Sequence, residues 1–234
     1  MTHNIYNSRR SERVGDKLES SLRNMIPLTF GEEVGNAVTH GAAAIIFIFL
    51  LPFTSVYMYQ ADGALHAVGG SIFVISIIFM LLSSAIYHVM APNSTHKYVM
   101  RLLDHSFIFI AIAGTYTPIA LSLIGGWFGW MVFAIQWVTA ILGILYKVLS
   151  KKQSGKVSML VYMIMGWMAV VIMPFIYDSL TFGFVLFIIL GGIMYTIGAW
   201  FYAQKGRKYF HMIWHFFIIL ASASHYVGIV FFMI

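Results

Sequence analysis

The sequence predicts an all-α membrane protein, a bundle of seven transmembrane helices with its N-terminus in the cytoplasm and its C-terminus outside. Of the 234 residues, 60% are hydrophobic and only 9% are charged. Soluble chains carry roughly 25% charged residues, so this chain has too few charges to cover a surface that faces water. Long apolar runs and the placement of the basic residues are the two other observations behind this prediction.

The absence of cysteine and the hydrophobic composition exclude several classes of protein, although the net charge is +6. Without cysteine the chain is not a disulfide scaffold, and any metal site must use histidine and carboxylate ligands. The hydrophobic composition excludes a nucleic-acid-binding module and a multidomain soluble enzyme. The positive charge therefore needs another explanation, which the distribution of lysine and arginine supplies.

Apolar runs of the length of a membrane-spanning helix recur along the chain. A helix needs about 20 apolar residues to cross a bilayer. We predict spans at roughly 37–57, 65–89, 102–124, 127–146, 158–177, 180–203 and 210–233 on this criterion. Turn-forming or charged residues separate them, as at Ala61-Asp62-Gly63, Gly125-Gly126 and Asp178-Ser179.

Lysine and arginine set the orientation, because they accumulate in cytoplasmic loops. The first, third and fifth breaks and the C-terminus contain no basic residue. All 14 lie in the N-terminal segment and in the second, fourth and sixth breaks: Arg9, Arg10, Arg13, Lys17, Arg23; Lys97, Arg101; Lys147, Lys151, Lys152, Lys156; Lys205, Arg207, Lys208. This alternation places the N-terminus inside and agrees with seven spans.

The chain divides into a polar cytoplasmic segment, residues 1–30, and a seven-transmembrane domain, residues 31–234. Within the segment, Val14, Leu18, Leu22 and Met25 recur at helical spacing among charged residues. Two interpretations stay open: an amphipathic helix that lies on the membrane surface, or a disordered charged tail.

Ionisable residues inside membrane spans are costly, and each one is a functional hypothesis. Four groups of such residues fall at the predicted cytoplasmic ends of the first, second, third and seventh spans. Within a group, residues four positions apart share one helix face. The groups are Glu32, Glu33, Asn36 and His40; Ser84 and His88; Asp104 and His105; and His211 and His215.

These groups could together hold a zinc ion, which in catalytic sites usually has three protein ligands and a water. His211 and His215 lie one turn apart and face the same way, and His88 lies at the same depth. Asp104 would orient or deprotonate the water, and Ser84 would offer a hydroxyl to a metal-bound oxygen. An outer polar shell or cytoplasmic entrance would consist of Glu32, Glu33, Asn36 and His40.

A polar stripe continues from this region toward the middle of the bilayer. Ser222 and His225 follow His211 along one helix face, and Thr115 and Ser122 follow Asp104. The two stripes predict an internal, partly hydrated cavity. Other interpretations stay open, because histidines beside Lys205–Lys208 are also typical of headgroup binding. His66 and His96 lie near breaks, and we expect them to be solvated.

Five sequence motifs resemble the hemolysin III family, the bacterial branch of the progestin and adipoQ receptor superfamily. They are Glu-Glu-Val-Gly-Asn-Ala-Val-Thr-His (32–40), Ser-Ser-Ala-Ile-Tyr-His (83–88), Leu-Leu-Asp-His-Ser (102–106), Ala-Gly-Thr-Tyr-Thr-Pro (113–118) and Tyr-Phe-His-Met-Ile-Trp-His (209–215). The resemblance covers roughly residues 30–234. It implies seven helices with a cytoplasmic N-terminus, zinc ligands at His88, His211 and His215, and supporting roles for Asp104 and Ser84.

The resemblance leaves three functions open. The first is a zinc-dependent hydrolase of a lipid amide or ester that serves membrane homeostasis, since eukaryotic relatives resemble ceramidases. The second is a non-enzymatic sensor or receptor of membrane state with structural zinc, and the third is a pore-forming cytolysin. We expect membrane lipid, and no nucleic acid, as the partner. The expected location is the bacterial plasma membrane, which the protein crosses several times; the sequence leaves its oligomeric state open.

Overall fold

The computed structural model describes residues 28–150 and 154–233, and within them the chain is almost entirely helical. The six helices are α1 (Phe30–Val89), α2 (Thr95–Pro118), α3 (Gly126–Leu149), α4 (Gly155–Ile172), α5 (Phe182–Ala203) and α6 (Phe210–Phe232). All six are long and apolar enough to cross a membrane. The prediction of an all-α membrane protein is confirmed.

Helix α1 contains the first predicted break. It has 60 residues, which at 1.5 Å per residue would extend for about 90 Å, three times the thickness of a bilayer core. The backbone leaves helical geometry at Asp62 and Gly63. Residues 30–61 and 64–89 thus form two helical halves, each long enough for one crossing. The count of seven spans rests on treating these halves separately and stays a prediction.

The start of α1 is fixed by a capping box. The Thr29 hydroxyl accepts a hydrogen bond from the Glu32 backbone, and the Glu32 carboxylate accepts one from the Thr29 backbone. These reciprocal bonds satisfy backbone donors that have no partner within the helix. The other oxygen of the Glu32 carboxylate accepts a hydrogen bond from the Tyr209 backbone at 2.7 Å. The cap therefore also joins the start of α1 to the start of α6.

The remaining predicted breaks fall where helices end. Ser94 caps α2 by accepting a hydrogen bond from the backbone of Lys97. A π-helical turn, Ile119–Ile124, follows Pro118 and ends at Gly125. Two short 3₁₀ turns, Met173–Phe175 and Tyr177–Ser179, separate α4 from α5. Because these turns end the helices, α2 to α5 have lengths close to those of the predicted spans.

The core lies between α1, α2 and α6, whereas α3, α4 and α5 expose much of their surface. The principal core cluster includes Phe47, Phe73, Leu81, Trp214 and Ile229. Large apolar side chains on α3 and α4, such as those of Leu142 and Ile164, are exposed. Such surfaces suit lipid, because an apolar side chain that contacts hydrocarbon is not exposed to water and has no hydrophobic cost. The buried polar residues are concentrated in the α1–α2–α6 core.

Two expectations from the sequence concern the exposure of His66 and the structure of the N-terminal segment. We predicted that His66 is solvated, and this was wrong: only 2% of its surface is exposed. His66 belongs to the first turn of the second half of α1 and shares a helix face with the buried Gly69, Gly70 and Phe73. The second expectation, an amphipathic helix or a disordered tail in the N-terminal segment, falls in residues 1–27, which lie outside the described residues.

Candidate metal centre

Three histidines from two helices meet in the core. His88 ends α1, and His211 and His215 lie one turn apart at the start of α6. One ring nitrogen from each lies within 4.8 Å of the other two. The Nε2 atoms of all three rings are buried and have no hydrogen-bond partner among the described residues. Unpartnered buried nitrogens are costly, and a metal ion would satisfy all three together.

The ring of His88 is held by Glu33. Its Nδ1 lies 2.6 Å from a Glu33 carboxylate oxygen, and a carboxylate can only accept, so Nδ1 donates. A neutral ring that donates from Nδ1 has its lone pair on Nε2, the atom that lacks a partner. The other Glu33 oxygen accepts a hydrogen bond from the Lys97 ammonium at 2.7 Å. A carboxylate behind a histidine is the arrangement that orients metal ligands.

His215 is oriented in the same way by the backbone of α1. Its Nδ1 lies 3.3 Å from the carbonyl oxygen of Asn36, so Nδ1 donates and Nε2 again keeps the lone pair. Asn36 is completely buried, and its side-chain amide reaches to 3.5 Å from His88 Nδ1. One turn of α1 therefore contacts two of the three histidines.

His40 adds a fourth imidazole to this cluster. Its ring stacks on that of His215, with ring centroids 3.6 Å apart and planes 9° apart. Both ring nitrogens of His40 are buried without a partner in the described structure. The sequence suggested an outer shell for this residue, whereas the structure places it directly against a cluster histidine.

Asp104 and Ser84 lie beside the cluster but outside its ligand set. Asp104 lines a polar pocket of about 300 Å³, together with His211 and the loop before α6. Ser84 is near the Asp104 carboxylate, although its hydroxyl makes no hydrogen bond of standard geometry. Glu32, Arg101 and several loop residues complete the pocket: Lys205, Arg207 and Lys208. The pocket thus places four basic side chains around two buried carboxylates, those of Glu32 and Asp104.

A second, largely apolar cavity of about 150 Å³ lies between α2, α4, α5 and α6. Its lining on α4 runs from Gly155 to Met173, just past the helix end, a distance of about 27 Å at 1.5 Å per residue. This nearly equals the hydrocarbon thickness of a bilayer, about 30 Å. The cavity has a more apolar lining than the partly hydrated one that the sequence suggested.

His105 and Tyr202 separate the pocket from the cavity. Both residues line both spaces. His105 Nε2 lies 3.1 Å from the Tyr202 hydroxyl, and its Nδ1 lies 2.8 Å from the Arg101 carbonyl oxygen. Tyr162, on α4, donates a hydrogen bond to the His105 backbone. This residue pair therefore lies between the polar pocket and the apolar cavity.

The remaining candidate, His225, lies away from the cluster. It is ten positions beyond His215 on α6, about 15 Å along the helix axis, and lines the apolar cavity. The structure thus brings together Glu33, Asn36 and His40 with the three histidines, and leaves His225 apart. Its environment is described below.

Sequence comparison gives the family. The model of the family described as Haemolysin-III related matches residues 28–226, which include every helix except the end of α6. The chain belongs to the hemolysin III family.

Individual relatives agree with this membership. The hemolysin III chain is 34% identical over 206 residues to Hemolysin-3 homolog of Bacillus subtilis, covering 88% of this chain and 96% of the relative. It is 35% identical over 204 residues to Hemolysin-3 of Bacillus cereus, covering 87% and 92%. At 24% identity over 204 residues it is similar to human monocyte to macrophage differentiation factor, covering 85% and 83%. The resemblance inferred from the five motifs is confirmed.

Sequence reasoning missed several polar contacts of this hemolysin III chain. Lys97 was assigned to a loop, yet it is buried, with 4% of its surface exposed, and bonded to Glu33. Tyr195 and Tyr202 lie within the predicted span 180–203, and the sequence predicted no polar role for either. Only the position of Lys97, one turn before Arg101 and close to a span, gave a signal that it would pack against the bundle.

Proposed function

We propose that this multi-pass membrane protein is a zinc-dependent hydrolase of a lipid amide or ester, which serves membrane homeostasis. The observation that carries the proposal is the set of three buried, unpartnered Nε2 atoms of His88, His211 and His215. His211 lines a polar pocket that shares His105 and Tyr202 with a membrane-deep apolar cavity, and this arrangement supports a reaction on lipid.

Zinc fits this donor set better than calcium or magnesium does. Calcium and magnesium prefer oxygen ligands, and the cluster offers three imidazole nitrogens. Three protein ligands are typical of catalytic rather than structural zinc. Glu33 and the Asn36 carbonyl would orient the rings of His88 and His215, as second partners of zinc ligands do.

The residues around the cluster suggest the division of labour in hydrolysis. Zinc, when bound, supplies a Lewis acid that polarises a carbonyl and acidifies water. The Asp104 carboxylate would accept the proton of the attacking water and deliver it to the leaving amine or alkoxide. Ser84 would donate its unused hydroxyl hydrogen bond to the carbonyl oxygen of the substrate.

The cavity supports a lipid substrate. Hydrocarbon chains would lie between α4 and α5, where the lining is apolar, while the bond to be cleaved reaches the polar pocket past His105 and Tyr202. This arrangement would let the substrate enter from the bilayer and its polar product leave through the pocket of basic loop residues.

Metal content and hydrolysis test the proposal together. Mass spectrometry of purified protein should find about one zinc per chain, lost in His88→Ala, His211→Ala and His215→Ala. Asp104→Ala should keep zinc and lose most hydrolysis of an acyl amide, by roughly the 10²–10⁴-fold that a general base contributes. His96→Ala and Asp178→Ala, at exposed positions, are the matched controls. Wild-type protein without zinc would overturn the proposal.

Two observations favour other functions, and the same variants separate them. The deep burial of the three Nε2 atoms favours structural zinc in a non-enzymatic sensor of membrane state, in which zinc stays bound but no lipid is cleaved. The name Hemolysin-3 of the Bacillus cereus relative favours a cytolysin. A cytolysin would release dye from vesicles equally with and without metal.

The bacterial relatives and the segregated basic residues support a place in the bacterial plasma membrane with the metal centre toward the cytoplasm. Arg101, Lys205, Arg207 and Lys208 line the same pocket as His211. A side rich in lysine and arginine is the cytoplasmic side by the positive-inside rule.

A further inference from the structure

His225 presents an unused hydrogen-bond acceptor to the apolar cavity. Its Nε2 lies 3.2 Å from the carbonyl oxygen of Ile188, and a carbonyl can only accept, so Nε2 donates. In a neutral ring the lone pair then lies on Nδ1. This atom is buried and has no partner within the described residues. The ring lines the cavity, and a ligand there that reaches Nδ1 would satisfy this acceptor.

The position of the ring is fixed by its neighbours. Gly191 on α5 lies so close that an added Cβ would overlap the imidazole of His225. The absence of a side chain at Gly191 therefore lets the Cδ2–Nε2 edge of the ring approach α5 and reach Ile188. A histidine held at such a contact is preorganised, which reduces the entropy lost when it binds a ligand.

Tyr195 brings a hydroxyl to the same place. It lines the cavity, and its ring centroid is 5.5 Å from that of His225. Its oxygen lies 2.9 Å from the Ser222 hydroxyl oxygen. When Ser222 donates in this pair, the Tyr195 O–H remains free to donate into the cavity. The site then offers one acceptor and one donor on neighbouring rings.

We propose that His225 and Tyr195 form a second polar site that recognises a hydroxyl group on the hydrocarbon chain of the lipid. A hydroxyl both donates and accepts, so it can bond to His225 Nδ1 and to Tyr195 simultaneously. An ether or ester oxygen has no hydrogen to donate to His225. The inference rests on the proposed function, because it names the substrate class as a chain-hydroxylated lipid.

The separation of the two sites sets where the hydroxyl must be. His225 is about 15 Å from His215 along α6. With the amide or ester at the three histidines and the chain extended along the cavity, the recognised hydroxyl lies that distance from the bond to be cleaved. A hydroxyl next to the amide would miss this site, and one near the chain end would pass beyond it.

Binding, rather than turnover, tests this inference. The probes are acyl amides of one chain length that carry a single hydroxyl at successive positions, compared with the unsubstituted amide. Apparent Kd values are measured by competition against a fluorescent acyl amide, in wild-type protein and in Asp104→Ala, which would bind without cleaving. We expect roughly 30-fold tighter binding at the matching position, the gain from two net hydrogen bonds.

Three variants locate the effect. His225→Leu and Tyr195→Phe should each reduce the preference for the hydroxylated chain to roughly fivefold, because one of the two hydrogen bonds remains. Thr115→Val is the matched control, because Thr115 also lines the cavity but its hydroxyl bonds to the Ala111 carbonyl. It should keep the preference.

Two outcomes would overturn the inference. Equal binding of every amide by wild-type protein would mean that water satisfies Nδ1, and this result does not depend on any variant folding. A preference that is undiminished in both His225→Leu and Tyr195→Phe would place hydroxyl recognition elsewhere. Hydrolysis of the plain amide without a hydroxyl preference would reject this site and leave the proposed function intact.

Discussion

The Glu33 carboxylate contacts two side chains, those of His88 and Lys97, that lie 55 and 64 positions further along the sequence. One oxygen contacts His88 at 2.6 Å and the other contacts Lys97 at 2.7 Å. Lys97 is also 4.9 Å from the centre of the Tyr87 ring. The negative charge of Glu33 therefore orients the imidazole of His88 and also compensates the charge of the buried Lys97 ammonium group.

We expect Glu33→Gln to weaken zinc binding by roughly 10- to 100-fold, the usual effect of changing the second partner of a ligand histidine. Glutamine keeps the side-chain volume of glutamate but removes its negative charge, so the hydrogen bond from His88 Nδ1 becomes weaker. Competition with a chelator of known affinity measures the change. Unchanged affinity would contradict the role assigned to Glu33.

Lys97→Met provides the matched control for that experiment. It removes the other partner of the same carboxylate, so it perturbs the packing near Glu33 while sparing the bond to His88. We expect it to keep wild-type zinc affinity. An equal loss in both variants would show that general loosening, rather than ring orientation, accounts for the effect.

His40 tests how many imidazoles the metal centre needs. The ring stacks on His215 but is not one of the three histidines whose nitrogens converge. His40→Phe should preserve the stacked contact and therefore retain about one zinc per chain, measured by mass spectrometry. His215→Phe, the companion variant, should lose it. Loss of zinc in His40→Phe would make His40 a ligand.

The break within α1 depends on the backbone of Gly63. This residue has φ of 77° and ψ of −162°, a region that is almost restricted to glycine. It allows the chain to leave the first half of α1 and enter the second without a longer loop. The geometry, rather than crowding, is the constraint, because an added Cβ would meet nothing within 4 Å.

Gly63→Ala should therefore lower the free energy of unfolding by roughly 1–3 kcal/mol, the cost of a residue held in such a region. Gly166→Ala is the control: Gly166 lies within α4 and its added Cβ would also meet nothing within 4 Å. That change should stabilise the protein by roughly 0.5–1 kcal/mol. Unfolding in detergent, followed by circular dichroism, measures both; equal effects would contradict the argument.

The elements themselves were largely predictable, because apolar runs of about 20 residues have few alternatives in a bilayer. The site was predictable only in part. The spacing of His211 and His215 fixes their common face, and the basic residues suggest that His88 lies at the same end. The stacking of His40 on His215 depends on how α1 and α6 rotate against each other, which no spacing within one helix determines. His66 shows the same limit: it lies inside the predicted span 65–89, but which face of that span is buried depends on its packing against other helices.

The orientation of the whole molecule can be tested directly because the chain contains no cysteine. Single cysteines at Asp62 and Asp178 should react with a membrane-impermeant maleimide added to intact cells. Cysteines at Ser94 and Gln204 should react only after the membrane is opened, because their loops carry the basic residues. The reverse pattern would contradict a cytoplasmic N-terminus, and all four reacting alike would contradict the assignment of the breaks.

The distribution of the three histidines over the sequence has a consequence for how the protein is made. Glu33 and His88 both belong to α1, so their bond can form as soon as the two halves of that helix have been inserted. His211 and His215 reach the membrane only with α6, after every other described helix. A nascent chain therefore cannot bring the three histidines together until α6, the last of the described helices, has been made. Capture of an ion by these histidines, as proposed, would then act as a checkpoint in biogenesis, locking α6 against α1.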